Sequence, residues 1–346
     1  MSTILVVTSS PPFAEGGHLI MARELVEALR AEGHVAALHV TPQNRFGRQA
    51  GAYLAAWCTD VGVAHEGRRI DQVISLRYPA YAVRHERHVC WLNHRMREYY
   101  DLWEPFSRSL SAKNKLKEGL RRQILHRVDG YLLTRRVSRL FVISATVQAR
   151  LARWGGLTSE VLHVPPPARP YRCDRYGDYI FAVSRLAPLK RFDLVLRALA
   201  EPIAAGIRCV IGGEGAEMER LIKLRRQLDL DDRVDLVGRL DAGGLLTHLA
   251  RCRAVVFPPF NEDYGFVTVE AFASAKPVIT CLDSGGPAEL VHDRQNGFVT
   301  SPTADALARA MRAVIDDRTL AIRMGESGMA TAARLTWPDA VRKLLI

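Results

Sequence analysis

Two carboxylates in the segment VVFPPFNEDYGFVTVEAFASAKPVITCLDSGGPAELVHDRQNGFV, residues 255–299, are set where they could serve one ligand. An apolar strand ends in a Pro-Pro loop, Glu262 sits in that loop, and Gly265 opens a helix carrying Glu270. The first N–H groups of such a helix, at Gly265, Phe266 and Val267, have no partner within it and favour an anion such as a diphosphate. Glu270, in the first helical turns, can accept hydrogen bonds from a ribose diol, while Glu262 faces whatever extends beyond the phosphates.

A second group lies in VSRLAPLKRFD, residues 183–193. Arg185 follows an apolar strand and Lys190 precedes the next helix, so a forked cation and a point cation share one strand-to-helix turn and suit a diphosphate leaving group. Gly16-Gly17, after the first strand, either lets backbone approach a phosphate or sugar closely or makes a plain tight turn. His94 follows a short apolar run, a position that projects a side chain into a ligand cleft, although a lone histidine there also suits a purely structural role. None of the glycine-rich turns completes G-x-G-x-x-G, because Gly215 is followed by Ala216, Glu217 and Met218, which disfavours a nicotinamide dehydrogenase. Asp229-Leu-Asp231-Asp232 reads as a helix-ending turn rather than a metal motif, and no metal site is expected.

These residues need parallel strands to hold them. Residues 4–7, a glycine-bearing loop, a helix over 19–30 and a strand over 34–41 form a βαβ unit. Further strands are expected at 72–76, 89–92 and 140–143. The proline-rich stretch PPPARPYRCDRYGD at 165–178 cannot be helix or inner strand and marks a linker. The alternation then repeats: strands at 179–183, 208–211, 234–236, 254–257 and 277–280, with helices at 192–200, 217–228, 243–250, 266–275 and 305–316. The chain of 346 residues is therefore expected to form domains 1–168 and 169–346. Open sheets of this kind bind ligands at the carboxyl ends of their strands.

The formal charge is +11, unevenly spread. Residues 1–170 hold 24 basic and 14 acidic side chains, against 24 and 23 in 171–346. Nearly all the excess falls in residues 106–153, with 12 basic side chains against Glu118 and Asp129. Within it Leu116, Leu120, Ile124 and Val128 recur every fourth position, with Lys113, Lys117, Arg121 and Arg122 among them. A helix of this pattern either turns its leucines to the core and its cations to solvent, or lies on an anionic surface of acceptor or membrane. Nucleic acid is disfavoured, because aromatic side chains are not interleaved. Six cysteines stand 29 or more positions apart with no C-x-x-C pair, the N-terminus lacks a basic region before its apolar run, and no apolar stretch reaches about 18 residues. A cytoplasmic chain, peripheral on the inner face of a membrane at most, is expected.

Taken together, VSRLAPLKRFDLVLRAL, VIGGEG, VDLVGRL and Glu262-x7-Glu270, in that order, resemble the retaining glycosyltransferases of family 4. Gly33-His34-Val35 and the run from His94 to Asp101 resemble the same family in the first half. The resemblance implies an α/β GT-B fold, two Rossmann-like domains facing each other across a cleft. It implies that Arg185 and Lys190 hold the nucleotide diphosphate, Glu270 the ribose, and Glu262 the hydroxyls of the transferred sugar. His94 would touch that sugar, Gly16 and Gly17 would approach the phosphates, and Arg239 would stand near the base. It further implies transfer of a hexose from a UDP- or GDP-linked donor to an acceptor hydroxyl in glycan, glycolipid or surface polysaccharide synthesis, with no cofactor and no metal. The acceptor would be anionic or lipid-linked. Two departures stand out: Arg191 occupies a position where the family commonly has glycine, and the chain runs only a few residues past Trp337. A soluble small-molecule glycosyltransferase and a non-catalytic basic membrane binder are the alternatives; a glycoside hydrolase fits two such domains poorly.

Overall fold

The computed structural model describes residues 1–13, 16–43 and 48–346. It divides into two units, 1–167 with 336–346 and 168–335.

In the first unit, β1 (Thr3–Ser10), β2 (Val35–Pro42), β3 (Gln72–Ser75), β4 (His88–Leu92), β5 (Arg139–Val142) and β6 (Glu160–Val161) form a parallel sheet in the order β2-β1-β3-β4-β5-β6. The strands are short apolar runs because both faces of a parallel sheet are covered; Val6, Val73, Val89, Cys90 and Trp91 are fully buried. In the helix Gly17–Ala31, Ala22, Leu25, Val26 and Leu29 recur at helical spacing and turn toward the sheet. The strand order reverses between β1 and β3.

The last eleven residues belong to this unit, not to the second as expected, and the boundary between units falls at 167/168. Thr336 caps the helix Trp337–Leu344 by accepting from Asp339 N–H. Trp337 then meets Trp91 edge-on at 6.2 Å and donates from Nε1 to Pro166 O at 3.1 Å. Gln72 closes the contact, donating to Leu344 O at 2.6 Å and accepting from Ile346 N at 3.1 Å.

In the second unit, β7 (Tyr179–Val183), β8 (Arg208–Gly212), β9 (Val234–Gly238), β10 (Ala254–Val256), β11 (Val278–Cys281) and β12 (Gly297–Thr300) form a second parallel sheet in the order β12-β11-β10-β7-β8-β9. Its core gathers Ile180, Val195, Leu196, Ile211, Val256, Ile279 and Met311. Here the order reverses between β7 and β10. The strands β6 and β12 and the helices Gln49–Cys58, Trp103–Arg108, Ala145–Arg153, Gly286–Leu290, Arg318–Ala333 and Trp337–Leu344 are additions to the expected set.

Candidate functional site

In an open α/β sheet the chain leaves two neighbouring strands in opposite directions at the point where the order reverses, and the gap beyond their carboxyl ends receives ligands. In the second unit those strands are β7 and β10. The segments that follow them are 184–190 and 257–265, which hold Arg185, Lys190 and Glu262.

Arg185 is exposed, and its segment is tied to the β8 turn through Ser184 N to Gly212 O at 3.2 Å and Leu186 N to Glu214 O at 2.8 Å. Lys190 ends a single 3-10 turn, Pro188–Lys190, and its Nζ donates to Glu262 Oε2 at 2.5 Å with both side chains largely buried. The Lys190 ammonium also stands 5.5 Å from the Phe257 ring centroid. Residues 72 positions apart in the chain are thus one charge-compensated pair.

Arg191 explains how that pair is held. Its backbone is left-handed, with φ at 52°, where a glycine would be unstrained. In exchange its guanidinium donates to Pro258 O and Pro259 O, each at 2.7 Å, and grips both oxygens of Asp283 at 2.7 and 2.8 Å. One planar fork therefore fixes the Pro-Pro loop to the loop after β11, which a lysine could not do bidentately. Backbone bonds finish the job: Phe260 N to Leu189 O at 2.7 Å, Asn261 N to Asp283 O at 2.8 Å, Glu262 N to Ser284 O at 2.9 Å, and Gly286 N to Glu262 O at 3.0 Å. Gly285, with φ at +73°, is where a Cβ would stand 2.5 Å from Glu262 O, so a glycine is needed there for the close packing of the Glu262 loop.

Gly265 caps the helix Phe266–Ala273, leaving the N–H groups of Gly265, Phe266 and Val267 outside the helical ladder. Glu270 lies one turn further and is buried. Its Oε1 accepts from Arg169 Nη1 at 2.6 Å and from the Tyr171 hydroxyl at 3.3 Å. Burial pushes the Glu270 carboxyl up to about 7, and Arg169 and Tyr171 act against that rise. The unfolded chain loses this proton near 4.5 while the folded unit keeps it to about 7, so stability falls as pH rises between the two. Thermal unfolding across that window is expected to show a shallower decline for Glu270→Gln than for the parent; equal slopes would remove Glu270 as the source.

Arg239 is exposed and pairs with Glu214 at 3.4 Å. In the first unit, Gly16 caps the helix Gly17–Ala31 just past β1, one of the strands at that unit's own reversal. His94 follows β4 half-buried, with Nδ1 2.6 Å from Arg95 O. Its neighbours in the motif are structural: Arg95 donates to Trp154 O and Arg150 O and covers the Tyr100 ring at 3.7 Å, and Arg97 pairs with Asp101 at 2.6 Å. Of the expected basic patch, Lys113 and Lys117 are exposed. Arg121 instead pairs with buried Glu118 at 2.5 Å, and Arg122 donates to Tyr99 O at 2.8 Å while lying 5.1 Å from the Trp103 ring centroid. Arg169, Tyr171, Arg191 and Asp283 were not among the expected site residues. Only Arg191 carried a signal, as a departure from glycine.

Among the described residues no cluster of three or more His, Cys, Asp and Glu is arranged to hold a metal ion. No helix among them is long and apolar enough to cross a membrane.

Residues 174–331 match the family described as "Glycosyl transferases group 1", nearly the whole of the second unit. The D-inositol 3-phosphate glycosyltransferase of Nocardia farcinica is 33% identical over 181 residues, which make up 49% of this chain and 40% of that protein. The chain thus matches less than half the length of such curated relatives. Among solved structures, the sucrose-phosphate synthase of Thermosynechococcus elongatus superposes with a TM-score of 0.77 at 18% identity, covering 98% of this chain and 96% of that one. Anabaena HepE, solved with UDP and glucose, gives 0.69 at 18% identity and covers 98% of both chains. The GT-B fold expected from the sequence is therefore the observed one, two Rossmann-like domains of six parallel strands each.

Proposed function

We propose that this chain, whose residues 174–331 belong to the group 1 glycosyl transferases, moves a hexose with retention from a UDP- or GDP-linked donor to an acceptor hydroxyl of a glycan, glycolipid or surface polysaccharide. The observation that carries the reading is that both charged segments, 184–190 and 257–265, follow the two strands flanking the reversal in the second sheet. That is where a doubly wound fold takes its ligand.

The diphosphate is met by Arg185, by Lys190 and by the N–H groups at Gly265, Phe266 and Val267. Donor binding redirects Lys190 from Glu262 to the phosphates, and the released carboxylate accepts hydroxyl hydrogens of the sugar. Glu270 receives the ribose from within the same helix. As the bond from anomeric carbon to phosphate oxygen breaks, both its electrons leave with the nucleoside diphosphate, and the cations stabilise that charge. The acceptor oxygen bonds the anomeric carbon on the face just vacated, and its proton passes to the departing phosphate oxygen. Positioning and electrostatics carry the reaction, and no metal takes part.

The test is a thermal-shift panel of nucleotide sugars followed by turnover with the donor that binds. A true donor at a hundredfold excess over Kd stabilises its bound form by about 2.7 kcal/mol. The product is expected to keep the donor's anomeric configuration by NMR, and a chelator to leave turnover unchanged. An inverted product or loss of activity with chelator would overturn the retaining, metal-free reading, and absence of any nucleotide-sugar shift would overturn the donor site.

A further inference from the structure

The helix Ala112–Arg135 turns three large aliphatic side chains outward: Leu116 is 79% exposed, Leu120 61% and Ile124 51%. Four-residue spacing puts them in one stripe, and the inward face is made by Leu125, Leu132 and Leu133 instead. Isolated exposed leucines are ordinary. Three consecutive ones along one helix face make a contiguous apolar stripe, and such a patch rimmed by polar residues marks an interaction site.

Charge says what covers it. Lys113, Lys117 and Arg127 are exposed, and Tyr131 is 52% exposed further along. The helix has just two acidic residues, and both are buried. Glu118 accepts from Tyr99 OH at 2.7 Å and pairs with Arg121; Asp129 accepts from Tyr53, Tyr81 and Tyr100. No carboxylate is left on the outer face, which presents cations around an apolar centre.

We propose that this face lies on an anionic lipid surface, the stripe entering the boundary between headgroups and acyl chains and the cations meeting lipid phosphates. A second copy of the chain fits poorly, because pairing two such faces sets Lys and Arg against Lys and Arg. Nucleic acid would take the cations and leave the leucines unused. The inference rests on the first unit alone and stands whether or not the donor reading does.

Flotation with vesicles of phosphatidylglycerol and phosphatidylcholine, against phosphatidylcholine alone, tests it. The chain is expected to float with the anionic vesicles at low salt and to be released as salt rises. Lys113→Glu with Lys117→Glu should weaken binding more than about twentyfold, each lost cation being worth roughly fivefold. Leu116→Ser with Leu120→Ser should weaken it at least about tenfold, from the apolar area no longer buried. Unchanged thermal unfolding would show that both variants are folded. Leu120→Trp, whose fluorescence brominated lipid should quench, reads insertion without removing the patch. No flotation of the parent at low salt would overturn the proposal. So would undiminished binding of the leucine variant, or a solution dimer of the parent that this variant dissolves.

Discussion

Lys190→Ala is expected to lower turnover at saturating donor by about 10²–10³, the loss typical of removing one preorganised group that stabilises developing charge. The same size of loss is expected of Arg185→Ala, but the two should differ in their companions. Arg185 is exposed, so its removal orphans nothing and the folded chain should unfold at the parental temperature. Lys190 compensates Glu262, so Lys190→Ala leaves a largely buried carboxylate uncompensated, and the loop it sits on should loosen too. The double variant Lys190→Ala/Glu262→Gln should therefore recover stability while recovering no turnover. A cycle in which stability and rate move together would mean that the pair is a structural strut and not a donor contact. Full turnover of either single variant at saturating donor would end the assignment.

The second large effect is on stability. Asp129 is 1% exposed and accepts the hydroxyls of Tyr53, of Tyr81 at 2.7 Å and of Tyr100 at 2.6 Å. Asp129→Ala strands three buried donors at about 1–3 kcal/mol each, so a loss on the order of 3–9 kcal/mol from the first unit is expected. That is much of the stability an ordinary domain has. Tyr81→Phe should cost far less, since it removes donor and demand together, and Asp129→Asn should fall between. Urea unfolding followed through the tryptophans of the first unit measures all three; an Asp129→Ala loss below that of Tyr81→Phe would refute this view. The same carboxylate keeps the helix Ala112–Arg135 seated with its leucines outward, so Asp129→Ala should also weaken lipid binding although the residue itself meets no lipid.

The sheets were legible because parallel strands are continuous apolar runs. The strand Tyr179–Val183 and the helix Phe192–Ala200 fall where the sequence puts them. The helix Arg318–Ala333 was not, and glycines inside a helical run, here Gly325 and Gly328, weaken such a pattern. In the fold they are points of close approach: a Cβ on Gly325 would stand 2.1 Å from Ala275 O, and one on Gly328 would stand 2.4 Å from the Phe272 ring. In the candidate site, Arg185, Lys190, Glu262 and Glu270 could be picked out by residue type and by the element each ends or begins. Their partners could not. Arg169 meets Glu270 across 101 positions and Arg191 meets Asp283 across 92, and no local pattern records a pairing of that range. The leucine stripe shows a third limit: spacing puts Leu116, Leu120 and Ile124 on one face but does not say whether core or solvent lies beyond it. The burial of Glu118 and Asp129 decided that.

The first unit includes residues 336–346, with the whole second unit intervening in the chain. A ribosome delivers the sheet β1–β6 long before the helix that carries Trp337. Until residues 336–346 emerge, Trp91 lacks its edge-on neighbour and Gln72 lacks both backbone partners. The second unit, continuous from 168 to 335, has every residue it needs earlier. The usual N-terminal-first order of domain maturation is therefore inverted here: the half made first is finished last, and it waits with part of its surface uncovered while the other closes.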